Sequence, residues 1–436
     1  MSDQPTPTNA SMKARHDAAL LPCVINYYEE PISIARGQGT TVWDVEGREY
    51  LDFFGGILTV SLGHCHGPVA DAIVEQVQTL QHSSTLYPNE QMVSLAEELA
   101  AIAPGRLSRS FFTSSGTEAD ETAILLAMIH TGSHEIVALR HCYSGRSLLA
   151  LSLQGHAPWR LVGTQIPGLK HMAAPYCYRC PFGLEYPSCD VKCAHDLKEL
   201  IETTTNGRPA ALICEPILGV GGFVVPPPEY FKIVSDIIHE YGGLFIADEV
   251  QTGFGRTGSK WFGIEHWDVE PDIMTMAKGI ANGSPMGATI TRDEFAESFT
   301  GLSLSTYGGN PVSSAAARAT IASMHAEGVP ERSERLGHIL QGRLKAAQAR
   351  HPRMGDVRGM GLMQAVEFVT DPETKEHDAA ATSAVTEAAK RRGVLIGKGG
   401  LKGNVLRLSP PMLISEEDLL KACDVLDECF DEVLGN

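Results

Sequence analysis

From about residue 109 the chain alternates short apolar runs with amphipathic stretches, and this alternation restricts the fold more than any other feature of the sequence. The runs are RSFFT, EIVALR, AALICEPI, GLFIADEV, DIMTMAK and GATITR, with DETAILLAMIH and EYFKIVSDIIHEYG among the stretches between them. Strands that are apolar throughout must be covered on both faces. The pattern therefore predicts an α/β fold in which a largely parallel central sheet is packed between helices. In such a sheet, ligands bind beyond the carboxyl ends of the strands, so the residues that end each run form the candidate site.

The flanking regions differ. TVWDV and EYLDFF, separated by EGR, predict a short hairpin, and PVADAIVEQVQTLQ has helical spacing. After about residue 310 come a helix over SSAAARATIASMHAEG, the segment MGDVRGMGLMQAVEFV, the run VLRLSPP and a last helix. Ser415 is the expected N-cap of that helix, and Leu419, Leu420, Ala422, Val425, Leu426, Cys429 and Phe430 form its apolar stripe. A chain of 436 residues fits two or three closely packed lobes. The expected division is an arm and hairpin segment over 1–70, a large domain over 71–310 and a smaller α/β domain over 311–436. The first ten or so residues are expected to form a loose arm.

The chain carries a formal charge of -18, which repels nucleic acid and anionic membranes over most of its surface. An anionic ligand therefore needs a local cationic or amide-lined pocket. No run is long and apolar enough to span a bilayer, and the polar opening MSDQPTPTNASMKARHDAAL lacks the apolar stretch of a secretory signal. Ten scattered cysteines do not resemble a secreted disulfide framework, so a reducing, cytoplasmic setting is expected.

Three strand ends carry chemistry. RSFFT leads into Ser114-Ser115-Gly116-Thr117-Glu118 and a helix, with Ser115 and Glu118 at capping-box spacing. Free backbone N–H groups, the helix dipole and two hydroxyls make this turn a phosphate seat, although a plain capped helix start has the same sequence. GLFIADEV places Asp248 at a strand end, where a carboxylate beside a pyridine nitrogen raises that nitrogen's pKa and keeps it protonated. Gln251 follows at a distance that reaches a ring hydroxyl. DIMTMAK ends in Lys278, and a buried ammonium is costly unless its nitrogen joins a cofactor as a Schiff base. An exposed loop lysine is the alternative. Together the three parts compose a pyridoxal-phosphate site.

The runs IADEVQTGFGRTG and PDIMTMAKGIANGSPMGA resemble the signature of the class III aminotransferases. SSGTEADETA, HCYSGRS, EPILGVGG, STYGGNP and VLRLSPP are similar to further motifs of that family, in the same order, from about residue 30 to the end. FFGGILTVSLGHCH and DVEPDIMTMAKGI look closest to its alanine–glyoxylate aminotransferase branch of mitochondrial type. The resemblance implies the type I fold of pyridoxal-phosphate enzymes, with pyridoxal 5'-phosphate as cofactor. It also implies a small amine or amino-acid donor, a keto-acid acceptor, and a homodimer or dimer of dimers with shared active sites. By the same resemblance, Lys278 would carry the cofactor and move the proton, Asp248 would pair with the ring nitrogen and Gln251 with the ring hydroxyl. Ser115, Gly116 and Thr117 would hold the phosphate, Tyr143 would stack on the ring, and Thr306 would reach the phosphate from the neighbouring subunit. Arg407 would bind the substrate carboxylate in a fork.

Two positions depart from the family. Ser144 stands where His or Trp often follows the stacking aromatic, and Val220 stands where ornithine and 4-aminobutyrate aminotransferases carry a glutamate that masks the carboxylate arginine. An unmasked Arg407 favours small carboxylates such as alanine, pyruvate or glyoxylate. Decarboxylation, racemisation and phosphate elimination remain open on the same kind of site, and an idle cofactor- or metal-binding protein would be expected to lack Lys278 or Asp248.

Three further motifs invite other readings. GFGRTG, Gly253 to Gly258, is a literal dinucleotide fingerprint, but no helical period follows it. Its glycines are expected to let the loop pass close to the cofactor or a subunit interface. Cys177, Cys180, Cys189 and Cys193 have a spacing that suits either a structural zinc site or a loop of thiols. His64-Cys65-His66 is expected to be packing or a pocket edge.

Overall fold

In the computed structural model, which describes residues 6–161 and 166–435, the apolar runs do form one sheet. An N-terminal group of strands comes first: β1 (Ile34–Gln38), β2 (Thr41–Asp44) and β3 (Glu49–Asp52). The large sheet follows with β4 (Arg109–Thr113), β5 (Ile136–Leu139), β6 (Leu169–Met172), β7 (Ala211–Cys214), β8 (Leu244–Asp248), β9 (Ile273–Met276) and β10 (Gly287–Thr291). Their spatial order is β4-β10-β9-β8-β7-β5-β6.

Neighbours from β6 to β9 pair in parallel, whereas β10 is antiparallel to both β9 and β4. Reversal of this single strand has a consequence for the site. The amino end of β10 lies at the same sheet edge as the carboxyl ends of the other strands. Every residue of β5, β7, β8, β9 and β10 is buried, as expected for strands covered on both faces. Burying each Ile, Leu or Phe there contributes about 1.5–3 kcal/mol.

The expected helices form over Gly67–Thr79, Gly116–Thr131 and Tyr230–Glu240. Strands also form where the sequence carries a weak signal. β6 is an edge strand whose Lys170 and His171 interrupt the apolar signal, and β1 is mostly exposed. The predicted hairpin is β2 and β3, paired antiparallel, and its sheet is completed by β13 (Val394–Leu395), which lies parallel to β3. Of the expected N-terminal arm, residues 1–5 lie outside the described residues, and Asn9–Ala19 is a helix with no buried residue.

The C-terminal region holds a second sheet. β11 (Met354–Met360), β12 (Met363–Phe368), β14 (Gly397–Gly399) and β15 (Val405–Leu408) are all antiparallel in the order β11-β12-β15-β14. Helices Pro311–Ala326, Val329–Arg350, Ala379–Arg391 and Glu416–Leu434 surround it. Ser415 caps the last helix by accepting the Asp418 N–H at 3.0 Å, and Leu419, Ala422, Leu426, Cys429 and Phe430 are buried. Among the described residues no helix is long and apolar enough to cross a membrane.

Glu367 on β12 holds the two regions together. Its buried carboxylate accepts Arg358 Nη1 at 2.8 Å, Asn404 Nδ2 at 3.3 Å, the Tyr176 hydroxyl and Arg179 Nε. Burial alone would raise this carboxyl, but Arg358, Tyr176 and Arg179 hold it below the ordinary carboxylate range. Replacing Glu367→Ala removes the carboxylate partner of Arg179 and leaves Arg358 with Asp356 alone. The expected loss is about 3–5 kcal/mol of stability, read as a lower denaturation midpoint of the purified protein.

Candidate active site

Where β4, β5, β7, β8 and β9 end, the chain encloses a cavity of about 300 Å³. The amino end of β10 closes it, with Gly283, Ser284, Pro285 and Met286 on the wall. Ser115, Gly116, Thr117, Tyr143, Asp248, Gln251 and Lys278 all line this one space. Residues up to 163 positions apart in sequence are thus brought together by strand order alone.

The turn after β4 opens the 16-residue helix Gly116–Thr131. Ser115 Oγ accepts the Glu118 N–H at 3.3 Å, while Glu118 reaches past the N-cap to the Ser114 N–H at 2.8 Å. The capping interaction is therefore present with a shifted return bond. The first N–H groups of any helix lack intrahelical partners, and here they open on the cavity with the positive end of the dipole. Glycine at 116 also serves protein packing. A Cβ there would press on Val250 at 3.1 Å and Ala277 at 3.3 Å.

Lys278 follows β9 and sits at φ 44°, a left-handed backbone that costs a residue with a Cβ about 1–2 kcal/mol. Burial lowers its pKa; Asp248 and Glu215 oppose that shift, while the Arg407 charge adds to it. Asp248 ends β8 and accepts the Val250 N–H at 3.0 Å through Oδ1. Burial lifts its pKa to about 6 against the pull of that N–H and of Lys278.

Two further acids reach the cavity, and sequence reasoning missed both. Glu215 follows β7 and accepts the N–H groups of Tyr143 at 3.0 Å and Gly219 at 2.8 Å. Burial and the Asp248 charge push it up to about 8. It opens EPILGVGG directly after an apolar run, the same signal that marked Asp248. Asp120, on the helix one turn past Gly116, accepts the Thr275 hydroxyl at 2.7 Å and is held well above the carboxylate range by burial and then by Asp248. Nothing in the sequence alone separates Asp120 from its neighbours Glu118 and Glu121.

Gln251 is buried with its Oε1 unpartnered, and Tyr143 stands with its ring edge-on to Trp159 at 5.8 Å. Ser144 is buried in the same wall. Arg407, on β15, is buried and is not among the residues that line the cavity. Its Nε donates to the Lys398 carbonyl at 2.9 Å, its Nη1 has no partner among the described residues, and the Phe54 and Phe223 rings lie 4.9 and 5.6 Å from its guanidinium. The Val220 carbonyl accepts the Gly400 N–H at 2.9 Å, so the loop that bears Val220 lies against the strand beside Arg407. Thr306 does not enter the Lys278 cavity. It is exposed on a neighbouring hollow that Ser114 and Glu118 also line.

The other motifs resolve as follows. No helix opens directly after GFGRTG, the next being the short 3-10 turn Gly263–Trp267, and its glycines do not line the cavity. Gly255, at φ 78°, lies against Pro330 at the start of helix Val329–Arg350, which corrects the expectation of a cofactor contact. Cys177, Cys180, Cys189 and Cys193 are free thiols around one small hollow. Among the described residues no group of three or more His, Cys, Asp or Glu side chains is arranged to hold a metal. His64 Nε2 pairs with Asp52 at 2.8 Å, away from the cavity.

The chemistry of the cavity fits pyridoxal phosphate. The N–H groups and hydroxyls of the 115–117 turn suit a phosphate, Asp248 suits a pyridinium N–H, the orphaned Gln251 amide suits a ring hydroxyl, and Lys278 suits an aldehyde carbon. Comparison with known proteins agrees. The sequence profile of the family "Aminotransferase class-III" matches residues 25–430. An Arabidopsis thaliana relative, "Alanine--glyoxylate aminotransferase 2 homolog 2, mitochondrial", is 41% identical over 94% of this chain and 84% of its own length. A Thermococcus litoralis relative, "Leucine/methionine racemase", is 38% identical over 92% of this chain and 91% of its own. The PLP-bound structure of an amine transaminase from an uncultivated Pseudomonas species superposes with a TM-score of 0.90 at 31% identity, covering 95% of this chain and 99% of that one. Fold, cavity and sequence likeness over most of the length therefore agree, and the chain belongs to the class III aminotransferases.

Proposed function

We propose that the protein moves an amino group from a small amine or amino acid, such as alanine or β-alanine, to pyruvate or glyoxylate. The observation that carries this reading is Arg407: buried, held at Nε, with Nη1 free, and with valine rather than an acid at position 220 of the adjoining loop. A compact carboxylate satisfies that guanidinium through charge-assisted hydrogen bonds. Glu215 lies near enough to influence Arg407, but its oxygens already take two backbone N–H groups.

In this reading the cofactor of the family, pyridoxal phosphate, supplies an electron sink for charge developing at the carbon that bears the amino nitrogen. The chain supplies the rest. The 115–117 turn anchors the phosphate, Asp248 keeps a proton on the ring nitrogen, and Gln251 orients the ring hydroxyl. Tyr143 covers one ring face. Lys278, its pKa lowered by burial, would take the proton from the substrate carbon that bears the nitrogen and deliver it to the cofactor carbon on the other side of that nitrogen. Arg407 fixes the carboxylate so that this carbon faces Lys278.

Two copies of the chain would complete the site, with Thr306 of each reaching the other's phosphate. Thr306 is exposed, beside exposed Leu302, Leu304 and Tyr307, which suits burial against a second copy. A cytoplasmic setting belongs to the same reading, and the ten cysteines are unpaired.

Changing Lys278→Ala should reduce turnover by several orders of magnitude while the phosphate turn still retains cofactor, measured by amino transfer and by cofactor content after gel filtration. Arg407→Ala should raise KM for keto acids at least about tenfold, with much less effect on carboxylate-free amines; steady-state kinetics on both substrate classes checks this. Appearance of a keto acid from the amino donor separates transfer from racemisation.

Asp248 also predicts a pH dependence. Its carboxylate form prevails above about pH 6 and the neutral acid below it. Only the carboxylate stabilises a protonated ring, so cofactor affinity should weaken by about tenfold per pH unit as pH falls below 6. Phosphate ionisation is common to wild type and Asp248→Asn. The difference between their titrations by absorbance isolates Asp248, and the variant should bind more weakly near pH 8.

A further inference from the structure

The GFGRTG run plays no part in the cavity, yet its arginine is the largest side chain that the fold encloses completely. Arg256 is 1% exposed, and its Nη1 donates to the carbonyls of Leu362 at 3.1 Å and Pro410 at 2.6 Å. Pro410 lies three residues beyond Arg407, where β15 leaves the small sheet. Leu362 lies in the turn between β11 and β12, next to the strand that pairs with β15.

The backbone contacts are equally close. The Arg256 carbonyl accepts the Leu362 N–H at 3.1 Å and the Ser333 hydroxyl at 2.9 Å. A Cβ on Gly361 would stand 2.6 Å from that carbonyl, so the turn between β11 and β12 lies directly on the loop. The foot of the same loop is fixed by Glu249, whose oxygens accept Gly263 N–H at 2.9 Å and Ile264 N–H at 2.7 Å. Loop and small sheet thus meet as a rigid pair, with Asp248 at one end and Arg407 at the other.

A second route joins Arg256 to the same place. Its nearby counter-charge is Asp52, which accepts the N–H groups of Phe54 at 3.0 Å and Gly55 at 2.8 Å. Phe54 carries the ring beneath the Arg407 guanidinium, and the Ser409 N–H donates to the Phe53 carbonyl at 2.9 Å. Arg256 Nε and Nη2 have no partner among the described residues. A buried guanidinium left partly unmatched is a poor device for packing alone.

We infer that Arg256 is a positioning residue for Arg407: it locks the strand that bears the carboxylate-binding arginine to the loop leaving Asp248, and so sets the span between carboxylate seat and cofactor ring. The inference rests on the proposed role of Arg407. A misplacement on the order of 1 Å at a binding group costs catalysis heavily even when the chemistry is untouched.

The test uses cofactor-loaded Arg256→Lys, which keeps the charge but shortens its reach, with Arg407→Ala in parallel. Arg256→Met keeps the bulk without the charge and replaces the lysine variant should that fail to fold. The half-reaction with alanine, the half-reaction with a carboxylate-free amine such as 1-phenylethylamine, and competitive inhibition by propionate are measured for each. We expect kcat/KM for alanine to fall, and the propionate inhibition constant to rise, by about tenfold. The amine half-reaction should change less than about twofold, and the visible absorbance of the loaded cofactor should not move. If Arg407→Ala separates the two substrate classes and the Arg256 variants affect both alike or neither, the positioning role is wrong. If Arg407→Ala itself fails to separate them, the carboxylate role of Arg407 and the inference built on it both fall.

Discussion

Three carboxyl groups and the Lys278 amine face a single cavity, and the balance of charge among them constrains what surrounds it. Asp248, Glu215 and Asp120 are all buried, and each is pushed toward its neutral form by burial. Lys278 is pushed the same way. Such a group of acids destabilises a fold unless each proton and charge has a place. Thr275 serves Asp120, backbone N–H groups serve Glu215 and Asp248, and a cationic ring would serve the remaining Asp248 oxygen. Pyridoxal phosphate would bring the two missing charges together, a pyridinium for the acids and a phosphate for the helix amides.

The sheet makes this grouping possible. Parallel strands deliver their carboxyl ends to one edge, and the single antiparallel strand β10 delivers its amino end to the same edge. A continuous wall results from residues far apart in sequence. The small antiparallel sheet then approaches with Arg407, and Arg256, Arg358 and Glu367 are among the charged groups that tie it down. If Arg407 binds the substrate carboxylate as proposed, the geometry of the site depends on the contact between the sheets as much as on the cavity.

Much of this could be read from the sequence because buried strands give continuous apolar runs, and a charged residue that ends such a run stands out. Asp248 and Lys278 are visible for that reason, and Glu215 has the same signature. Asp120 is hidden because an acid on an amphipathic helix has no preferred face until the helix is docked. β6 was obscured by Lys170 and His171, which an edge strand tolerates. Helix Val329–Arg350 was not anticipated because charged residues crowd its apolar stripe. The motif GFGRTG illustrates the opposite case: the pattern is literal, but Gly255 meets Pro330, Gly258 meets Glu334 and the arginine meets Pro410, contacts that local sequence does not encode.

The central claim is that Lys278 bonds the cofactor within this set of groups. Borohydride reduction of the cofactor-loaded protein, followed by peptide mapping, tests it most directly. The account predicts that the reduced cofactor is found on the peptide bearing Lys278 and is absent from that peptide when Lys278→Ala is treated identically. Attachment at another lysine of the wild-type protein, or recovery of all cofactor unattached, would contradict it.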